Sequence, residues 1–310
     1  GWSAAQAQAP AGYPARTLTL VCPFAPGGSA DIMARLLAQK LLQKWGQPIV
    51  IENRAGAGGT IGASLVAQAA PDGYTLLMTN PGSNAIQHVL NQHSTYSNRD
   101  FAHVVLLGSA PLMLSTRKDF SASTVTDLIA LAKAKPGELT GGSSGAGGSS
   151  HFALELFNRA ANVEIRHIPY KGAAPALADV VGGQIACMFT PHGDFIANHK
   201  AGKMRILATS GKTRSPFVPD VATFAEQGFP ELTVEEWFGF YAPAKTPANV
   251  LQAANAAINA ALKDKGVQDA LTVVGLIPFG GTIADQLKSS QVELERWGPL
   301  IKRIGFTVDS

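Results

Sequence analysis

Two glycine-rich turns, each followed by a segment of helical periodicity, most constrain the fold of this chain. The first turn reads PFAPGGSAD at 23–31, and the second reads GGSSGAGGSSH at 141–151. Each comes directly after a short apolar run that predicts a strand. Glycine lets the backbone approach a ligand closely, and a helix start offers unpaired N–H groups with a partial positive charge. The two turns therefore predict a small anion held between two lobes.

Composition places the chain among folded globular proteins. Its 310 residues can form two domains. A content of 46% hydrophobic and 15% charged residues is typical of a protein with a buried core. The formal charge of +3 is small, and the basic residues are scattered rather than clustered with aromatic ones. Nucleic acid is therefore not an expected partner.

The ends and the cysteines bear on where the protein works. No apolar run approaches the length of about 18 residues that predicts a membrane span. The Ala/Gln-rich start includes Ala5-Gln6-Ala7, which resembles the end of a secretory signal and suggests export, although a cloning remnant or frayed terminus explains it equally well. Cys22 and Cys187 lie in apolar runs and are expected to be free, buried thiols.

Strands and helices alternate along the first hundred residues. Strands are predicted at 17–22, 48–51 and 74–78, with helices that begin at Ser29 and Thr60 as side-chain N-caps. This order predicts a parallel, right-handed βαβ sheet.

A second β/α series follows, which predicts a second lobe. Long extended runs at 101–116 and 233–241 connect the two series, and helices at 247–271 and 282–304 are expected to pack back on the first lobe. The chain would then cross between lobes near 112–116 and 237–241, as in a hinged clamp. We expect lobe 1 to comprise 13–114 plus 242–310, and lobe 2 to comprise 115–241.

Catalytic and nucleotide-binding motifs are incomplete. The serines Ser143 and Ser144 lie in a G-x-S-x-G match, but several glycines separate them from the helix, whereas a nucleophile elbow enters its helix at once. A serine-type hydrolase that uses Ser143 or Ser144 stays as the alternative function. The dinucleotide patterns have Ile61 and Ser150 where a glycine is required, and a P-loop-like match has Ile206. A phosphate- or nucleotide-binding module is therefore the weaker third hypothesis.

The titratable side chains show no assembled catalytic constellation. The seven histidines lack metal-ligand spacing, and His151 alone lies in a glycine turn, where it is expected to bond a neighbouring backbone group or to approach the ligand. The following carboxylates form no obvious acid–base pair and are expected on solvated faces or in turns: Glu52, Asp72, Asp194, Glu235 and Glu236. Binding is thus favoured over catalysis, with neither a metal nor a cofactor.

Several motifs in fixed order resemble the Bug (TctC-like) family of periplasmic solute-binding receptors, over nearly all of the chain from Tyr13 onward. They are the first turn, ENRAGAGGTIG at 52–62, PDGYTL at 71–76, the second turn, PYKG at 169–172 and WFG at 237–239. The resemblance implies the two-lobe α/β fold of periplasmic binding proteins (the Venus flytrap), each lobe a sheet flanked by helices. It also implies a monomeric periplasmic receptor for small carboxylates or amides, with tripartite tricarboxylate transporter subunits or a sensor as partners.

Two departures from the family pattern concern the ligand. In the second turn, Ala146 and Gly148 stand where Asn and Thr are more usual. Thr190 follows a predicted strand at a position where the family usually has Asp, which removes a partner for a ligand ammonium group. The ligand is therefore expected to be a di- or tricarboxylate or an aromatic acid rather than an amino acid. An amino-dicarboxylate stays possible if hydroxyls, carbonyls or waters receive its ammonium group.

The predicted binding residues come from both lobes. The first turn is expected to hold one carboxylate through Phe24, Gly27, Gly28, Ser29 and Ala30, and the second turn the other end of the ligand through Ser143, Gly147, Gly148 and Ser149. Thr79 and Asn80 follow a strand, at the edge where ligands of open α/β sheets bind. Thr190 is expected to line the far wall.

Overall fold

The computed structural model describes residues 12–306, except 81–82, 84–89, 91–94 and 274. Its strands in this part of the chain are β1 (Leu18–Cys22), β2 (Ile49–Asn53), β3 (Thr75–Thr79), β4 (Phe101–Arg117), β5 (Thr140–Ser143), β6 (Arg166–Pro169), β7 (Cys187–Pro191), β8 (Met204–Thr209), β9 (Glu235–Pro243) and β10 (Ile277–Pro278). Most of these strands lie within a few residues of those that apolar alternation predicts, because the alternation in the sequence reflects which side chains of a strand are buried.

The α-helices of the same part are α1 (Ser29–Trp45), α2 (Thr60–Ala67), α3 (Val125–Ala134), α4 (Ser149–Ala161), α5 (Ala173–Val181), α6 (His192–Lys200), α7 (Ala248–Leu262), α8 (Lys265–Val273) and α9 (Ile283–Ile304). Helix α6 has no counterpart in the sequence prediction, and the helix predicted at 247–271 is two helices, α7 and α8. None of the helices within the described ranges is long and apolar enough to cross a bilayer.

The first lobe contains a mixed sheet. Its strand order is β2-β1-β3-β9-β4, and β10 pairs with β4. Strand β1 is parallel to β2 and β3, as predicted, whereas β9 is antiparallel to β3 and to β4. The antiparallel strands were not predicted, because β9 and β4 pair with partners far away in the sequence.

The long strand β4 belongs to both lobes. Its first part, to Pro111, pairs with β9, and from Leu112 onward it pairs with β7 and β8 of the second sheet. In that sheet β5 is parallel to β6 and β7. The return crossing precedes Glu235, which already pairs with Pro111. This is a few residues earlier than the predicted crossing at 237–241, and the exact lobe boundaries stay a prediction.

Each lobe has its own apolar core. In the first lobe, α1 and α7 bury Leu37 and Ile258 against the sheet. In the second lobe, Phe157 and Phe189 lie at the centre of an aromatic cluster. The end of α9 packs in this second core, where Trp297 contacts Phe152 edge to face, so this helix spans both lobes instead of packing only on the first.

Local predictions at two helix starts need correction. The N-cap residues of α1 and α2 are Gly28 and Gly59, not the predicted Ser29 and Thr60, and neither helix has a side-chain cap. The Ser29 hydroxyl instead bonds a side chain of the other lobe, described below. Cys22 is a free, buried thiol as predicted, and so is Cys187.

Candidate functional site

The two lobes touch at the edges of a cleft. The Ala25 N–H donates to the Lys171 carbonyl at 3.0 Å. A Cβ atom at Gly172 would lie 2.8 Å from the Ala25 nitrogen, and one at Gly145 would lie 2.8 Å from Gly58 Cα. Side chains at these glycines would collide with backbone of the opposite lobe. The structure is therefore a closed form, and glycine is what permits the close contact.

A pocket that opens to solvent lies inside this cleft, with walls from both lobes. Its free space, counted with the open solvent at its mouth, is about 330 Å³. It brings together six of the predicted binding residues, which are Phe24, Gly28, Ser29, Ala30, Asn80 and Thr190. Seven residues that sequence reasoning did not assign to the site also line it: Ala25, Ser144, Ala173, Pro191, Asp194, Glu236 and Phe238.

The first turn holds a carboxylate of the protein itself. Asp194, in the first turn of α6, accepts hydrogen bonds at Oδ1 from the Ser29 N–H (2.6 Å) and the Ser29 hydroxyl (2.8 Å). The Thr190 hydroxyl donates to its Oδ2 at 2.6 Å. The N–H of Gly27 is also engaged, because it donates to Asp31 Oδ2 at 3.0 Å. The expectation that Asp194 lies on a solvated face or in a simple turn is therefore wrong.

The electrostatics around Asp194 are those of an enclosed acid. Part of the residue remains exposed, but its carboxyl group is surrounded by protein. Burial raises the pKa of this carboxyl, against the hydrogen bonds from Thr190 and Ser29, which lower it.

A second carboxyl group, that of Glu236, faces the same pocket. The side chain is 3% exposed, and Asn80 Nδ2 donates to its Oε1. Burial and the neighbouring Asp194 raise the pKa of Glu236 to about 8. The expectation of a solvated face is wrong for Glu236 as well. The Ser149 hydroxyl lies beside this carboxyl and lowers its pKa. It makes no hydrogen bond of normal geometry with the residues that the structure describes.

The second turn bonds largely to itself. The Gly147 N–H donates to His151 Nδ1 at 2.9 Å, and the Gly148 N–H donates to the Gly145 carbonyl at 3.2 Å. His151 thus bonds a neighbouring backbone group, one of the two roles expected of it. These N–H groups are used within the protein in the closed form, so their role toward a ligand stays a prediction.

The buried Ser143 bonds the half-buried His167. Ser143 Oγ lies 2.6 Å from His167 Nε2 and accepts the Gly145 N–H at 3.2 Å. The His151 ring stacks on His167 with centroids 3.4 Å apart, and burial together with His151 lowers the pKa of His167 to about 3. Ser143 is 0% exposed and is not among the residues that line the pocket. The spacing suits a nucleophile and base, but the hydroxyl cannot be reached from the cleft.

Thr79 and Asn80 lie at the carboxyl end of β3, at the edge predicted for a ligand. Their side chains point differently. The Thr79 hydroxyl bonds the Ser83 hydroxyl, whereas the Asn80 amide reaches Glu236 in the pocket. Of the two, only Asn80 lines the pocket.

A pattern in the sequence could have pointed to Asp194. The residue follows β7 closely and lies in the first turn of α6, where a carboxylate interacts favourably with the helix dipole. No local pattern marks Glu236, since its place in the pocket depends on β9 pairing with β4. Within the described ranges, no group of His, Cys, Asp and Glu residues is arranged to hold a metal ion.

Comparison with known sequences gives one family. A family model described as "Tripartite tricarboxylate transporter family receptor" matches residues 33–306. A UPF0065 protein in the tcbD-tcbE intergenic region of Pseudomonas sp. (strain P51) is 38% identical over 96% of this chain and 89% of its own length. Protein BugT of Bordetella pertussis is 37% identical over 94% of this chain and 90% of BugT.

Solved structures resemble the fold over nearly its whole length. One described as a periplasmic transporter has a TM-score of 0.93 at 37% identity and covers 96% of this chain and 100% of its own. R. palustris Rpa4515 with adipate has a TM-score of 0.91 at 34% identity (95% and 99% covered). MatC from Rhodopseudomonas palustris with bound malate has 0.89 at 33% (93% and 99%). These structures confirm the predicted two-lobe α/β fold.

Proposed function

Because the chain belongs to the tripartite tricarboxylate transporter receptor family, we propose that it captures a small carboxylic acid in the pocket between its lobes. It would work in the periplasm as a monomer and deliver the acid to the membrane subunits of a transporter or to a sensor. The observation that carries the proposal is the pocket in the cleft, whose walls come from both lobes. The structural relatives with adipate and with malate support a small carboxylic acid as the ligand.

The mechanism is capture by closure. A ligand that touches both walls gains contacts in the closed form that the open form lacks, so binding shifts the protein toward closure. Gly28 and Ala30 line the pocket at the start of α1, where helix N–H groups have no intrahelical partner. With Phe24 and Ser29 they form the first-lobe wall, and Gly27 belongs to the turn behind it.

The remaining predicted residues complete the pocket in this proposal. Asn80 supplies a side-chain amide, with Thr79 behind it. Thr190 positions Asp194 on the second-lobe side. The second turn, with Ser143, Gly147, Gly148 and Ser149, supplies the start of α4 to the opposite end of the ligand. Closure that brings the two helix starts together suits a small acid.

No catalytic step is part of the proposal. The Ser143–His167 pair is the feature that a serine hydrolase would need, but Ser143 is fully buried and the pocket is lined instead by Ser144, whose hydroxyl bonds the Ser150 hydroxyl at 2.9 Å. An activated serine needs a base within reach and access to substrate. Neither serine has both.

The test is a ligand panel followed by thermal unfolding and calorimetry. The panel comprises succinate, citrate, malate, adipate, nicotinate, aspartate and glutamate. A true ligand at one hundred times its Kd should stabilise the protein by about 2.7 kcal/mol, seen as a rise in Tm, and should bind with 1:1 stoichiometry. The Asn80→Ala variant should lose this rise, whereas Asp269→Asn, on the exposed face of α8, should keep it. Stabilisation by a sugar or a plain cation, with none from any acid, would overturn the proposal.

A further inference from the structure

Glu236 presents a buried acid to the cleft, and its hydrogen bonding there is incomplete. The side chain is 3% exposed and lines the pocket. Asn80 Nδ2 donates to its Oε1, whereas no residue that the structure describes bonds its Oε2. One carboxyl oxygen of Glu236 is therefore left for a bound molecule.

Burial and a like charge keep this carboxyl neutral at physiological pH. A buried carboxylate needs a cation or several donors, and Lys, Arg and His are absent from the described residues that line the pocket. The neighbouring Asp194 has three donors, two from Ser29 and one from Thr190, so it is the acid of the two that ionises. Its charge acts together with burial to raise the pKa of Glu236 to about 8.

The other titratable groups on the surrounding elements do not offset this effect. Asp31 of α1 is paired with Arg35 at 2.9 Å. His151 of α4 accepts an N–H group of its own turn. Strand β3 has no titratable residue, and β4 has none within six positions of the residue that pairs with Glu236. Burial and Asp194 thus determine whether Glu236 keeps its proton.

The start of α4 lies beside the same carboxyl. Ser149, the first residue of this helix, is 5% exposed, and its hydroxyl adjoins Glu236 without a hydrogen bond of normal geometry to any described residue. The first N–H groups of a helix have no intrahelical acceptor, and Gly148 at the N-cap adds no side chain. An unpaired buried hydroxyl costs stability unless a ligand completes it. A neutral acid, a hydroxyl and a helix start together suit a carboxylate oxygen.

We propose that Glu236 binds the ligand as the neutral acid and donates its proton, in a hydrogen bond from Oε2, to a carboxylate oxygen of the ligand. Asn80 holds Oε1, which leaves Oε2 to carry the proton. Ser149 and the start of α4 serve the same ligand carboxylate. The inference rests on the proposed function, since it assumes that an acid binds between the lobes, and it makes a proton a condition of capture.

Loss of this proton turns the contact from attractive to repulsive. An ionised Glu236 has only acceptor oxygens, and it places a negative charge against the ligand carboxylate. If only the protonated form binds, the apparent Kd rises up to tenfold for each pH unit above the pKa of Glu236. By linkage, the bound acid also raises that pKa, so capture near pH 8 takes up a proton from solution.

The experiment is calorimetry on the full chain with succinate, malate and adipate from pH 7 to 9.5, where both carboxylates of each probe are ionised. For the wild type, the Kd of a probe that binds should rise by about tenfold or more across this range. Titrations at pH 8.5 in two buffers of different ionisation enthalpy should show uptake of roughly half a proton or more per ligand.

Three variants assign the effect. Glu236→Gln keeps a neutral donor but has no proton to lose, so its Kd should not change with pH and its binding should take up no proton. Asp194→Asn removes the like charge, so the rise in Kd should begin at a lower pH than in the wild type. Asp269→Asn, at an exposed carboxylate of α8, should retain the wild-type profile.

The outcomes separate this inference from the proposed function. A wild-type Kd that is constant with pH, or an equal pH dependence in Glu236→Gln, would overturn the inference while the receptor function stands. If none of the three probes binds, the inference is overturned, and the full panel of acids decides separately whether the receptor function stands. Thermal unfolding checks that each variant folds. If Glu236→Gln does not fold, the wild-type proton uptake and the shift in Asp194→Asn decide the question.

Discussion

Asp194 Oδ1 accepts two hydrogen bonds from Ser29, one from its N–H at 2.6 Å and one from its hydroxyl at 2.8 Å. Ser29 begins α1 in the first lobe, and Asp194 lies in the first turn of α6 in the second. The two residues are 165 positions apart in the chain. Charge-assisted bonds of this kind are stronger than neutral ones, so this contact contributes to the stability of the closed form.

Removal of the Asp194 carboxylate should open the protein. In Asp194→Ala the Ser29 donors lose their acceptor, and the equilibrium of the free protein should shift toward separated lobes. Small-angle scattering should give a larger radius of gyration for this variant than for the wild type, both without ligand. Asp269→Ala, which removes an exposed carboxylate of α8, is the matched control and should scatter like the wild type. Equal radii for all three proteins would show that Asp194 does not hold the lobes together.

Gly172 should not tolerate even alanine, whereas Gly28 should accept alanine. Gly172 has φ +134°, and a Cβ there would lie 2.8 Å from the Ala25 nitrogen in the opposite lobe. Gly172→Ala should therefore hinder closure and weaken ligand binding by about tenfold or more in calorimetry. Gly28 has φ −83°, and its added Cβ would make ordinary contacts with Asp194 and Ala173. Gly28→Ala is thus the control, and a larger loss for it than for Gly172→Ala would contradict this account.

Larger substitutions in the turns act for different reasons. At Gly147, φ is +70°, so Gly147→Val places a β-branched residue in a strained conformation and should weaken binding. At Gly28 the backbone is extended and unstrained, so a bulky residue acts only by filling the pocket that Gly28 lines. Calorimetry with the best-binding acid should show a loss for both Gly147→Val and Gly28→Val. Unchanged affinity in both would remove the two turns from the site.

Glu236 should make stability depend on pH. Its pKa in the folded protein is about 8, above its ordinary value near 4.5, because of burial and Asp194. Between these values the folded protein keeps a proton that the unfolded chain has released. The free energy of unfolding should therefore fall as pH rises through this window, by up to about 1.4 kcal/mol per pH unit. In Glu236→Gln this part of the slope should vanish.

The measurement is urea unfolding of both proteins from pH 5 to 8, taken as the difference between them so that other titrating groups cancel. Asp269→Asn, at an exposed carboxylate, should retain the wild-type slope. Parallel curves for wild type and Glu236→Gln would show that the Glu236 carboxyl titrates normally.

The sequence predicted those features that depend on neighbours in the chain. Alternating apolar residues before Cys22 and helical spacing after Ser29 gave β1 and α1 almost to the residue. The carboxyl end of β3 predicted that Asn80 lines the pocket, and the comparison with the family pattern pointed to Thr190, which lines it too. The positions of β1, α1 and Asn80 follow from local burial patterns and from the geometry of α/β sheets.

The missed features depend on which distant segments meet. Glu236 is buried because β9 pairs with β4, and Asp194 is enclosed because the lobes close on each other. A carboxylate in a polar context is more often exposed, so composition and periodicity favour the solvated face. The N-cap prediction at Ser29 failed for the same reason, since its hydroxyl finds a better acceptor across the cleft.

The Ser143–His167 pair should contribute to stability and not to hydrolysis. Ser143 is fully buried, and its hydroxyl bonds His167 Nε2 at 2.6 Å. Ser143→Ala leaves this nitrogen of the half-buried His167 without its partner, so unfolding should become easier by about 1 kcal/mol. Ser144→Ala is the comparison, because the Ser144 hydroxyl bonds Ser150 and faces the pocket.

Turnover of a short-chain p-nitrophenyl ester by the wild type should not exceed the buffer rate, and neither variant should alter it. Turnover that Ser143→Ala abolishes, in a variant that still folds, would instead make the pair a nucleophile and base and the protein a hydrolase.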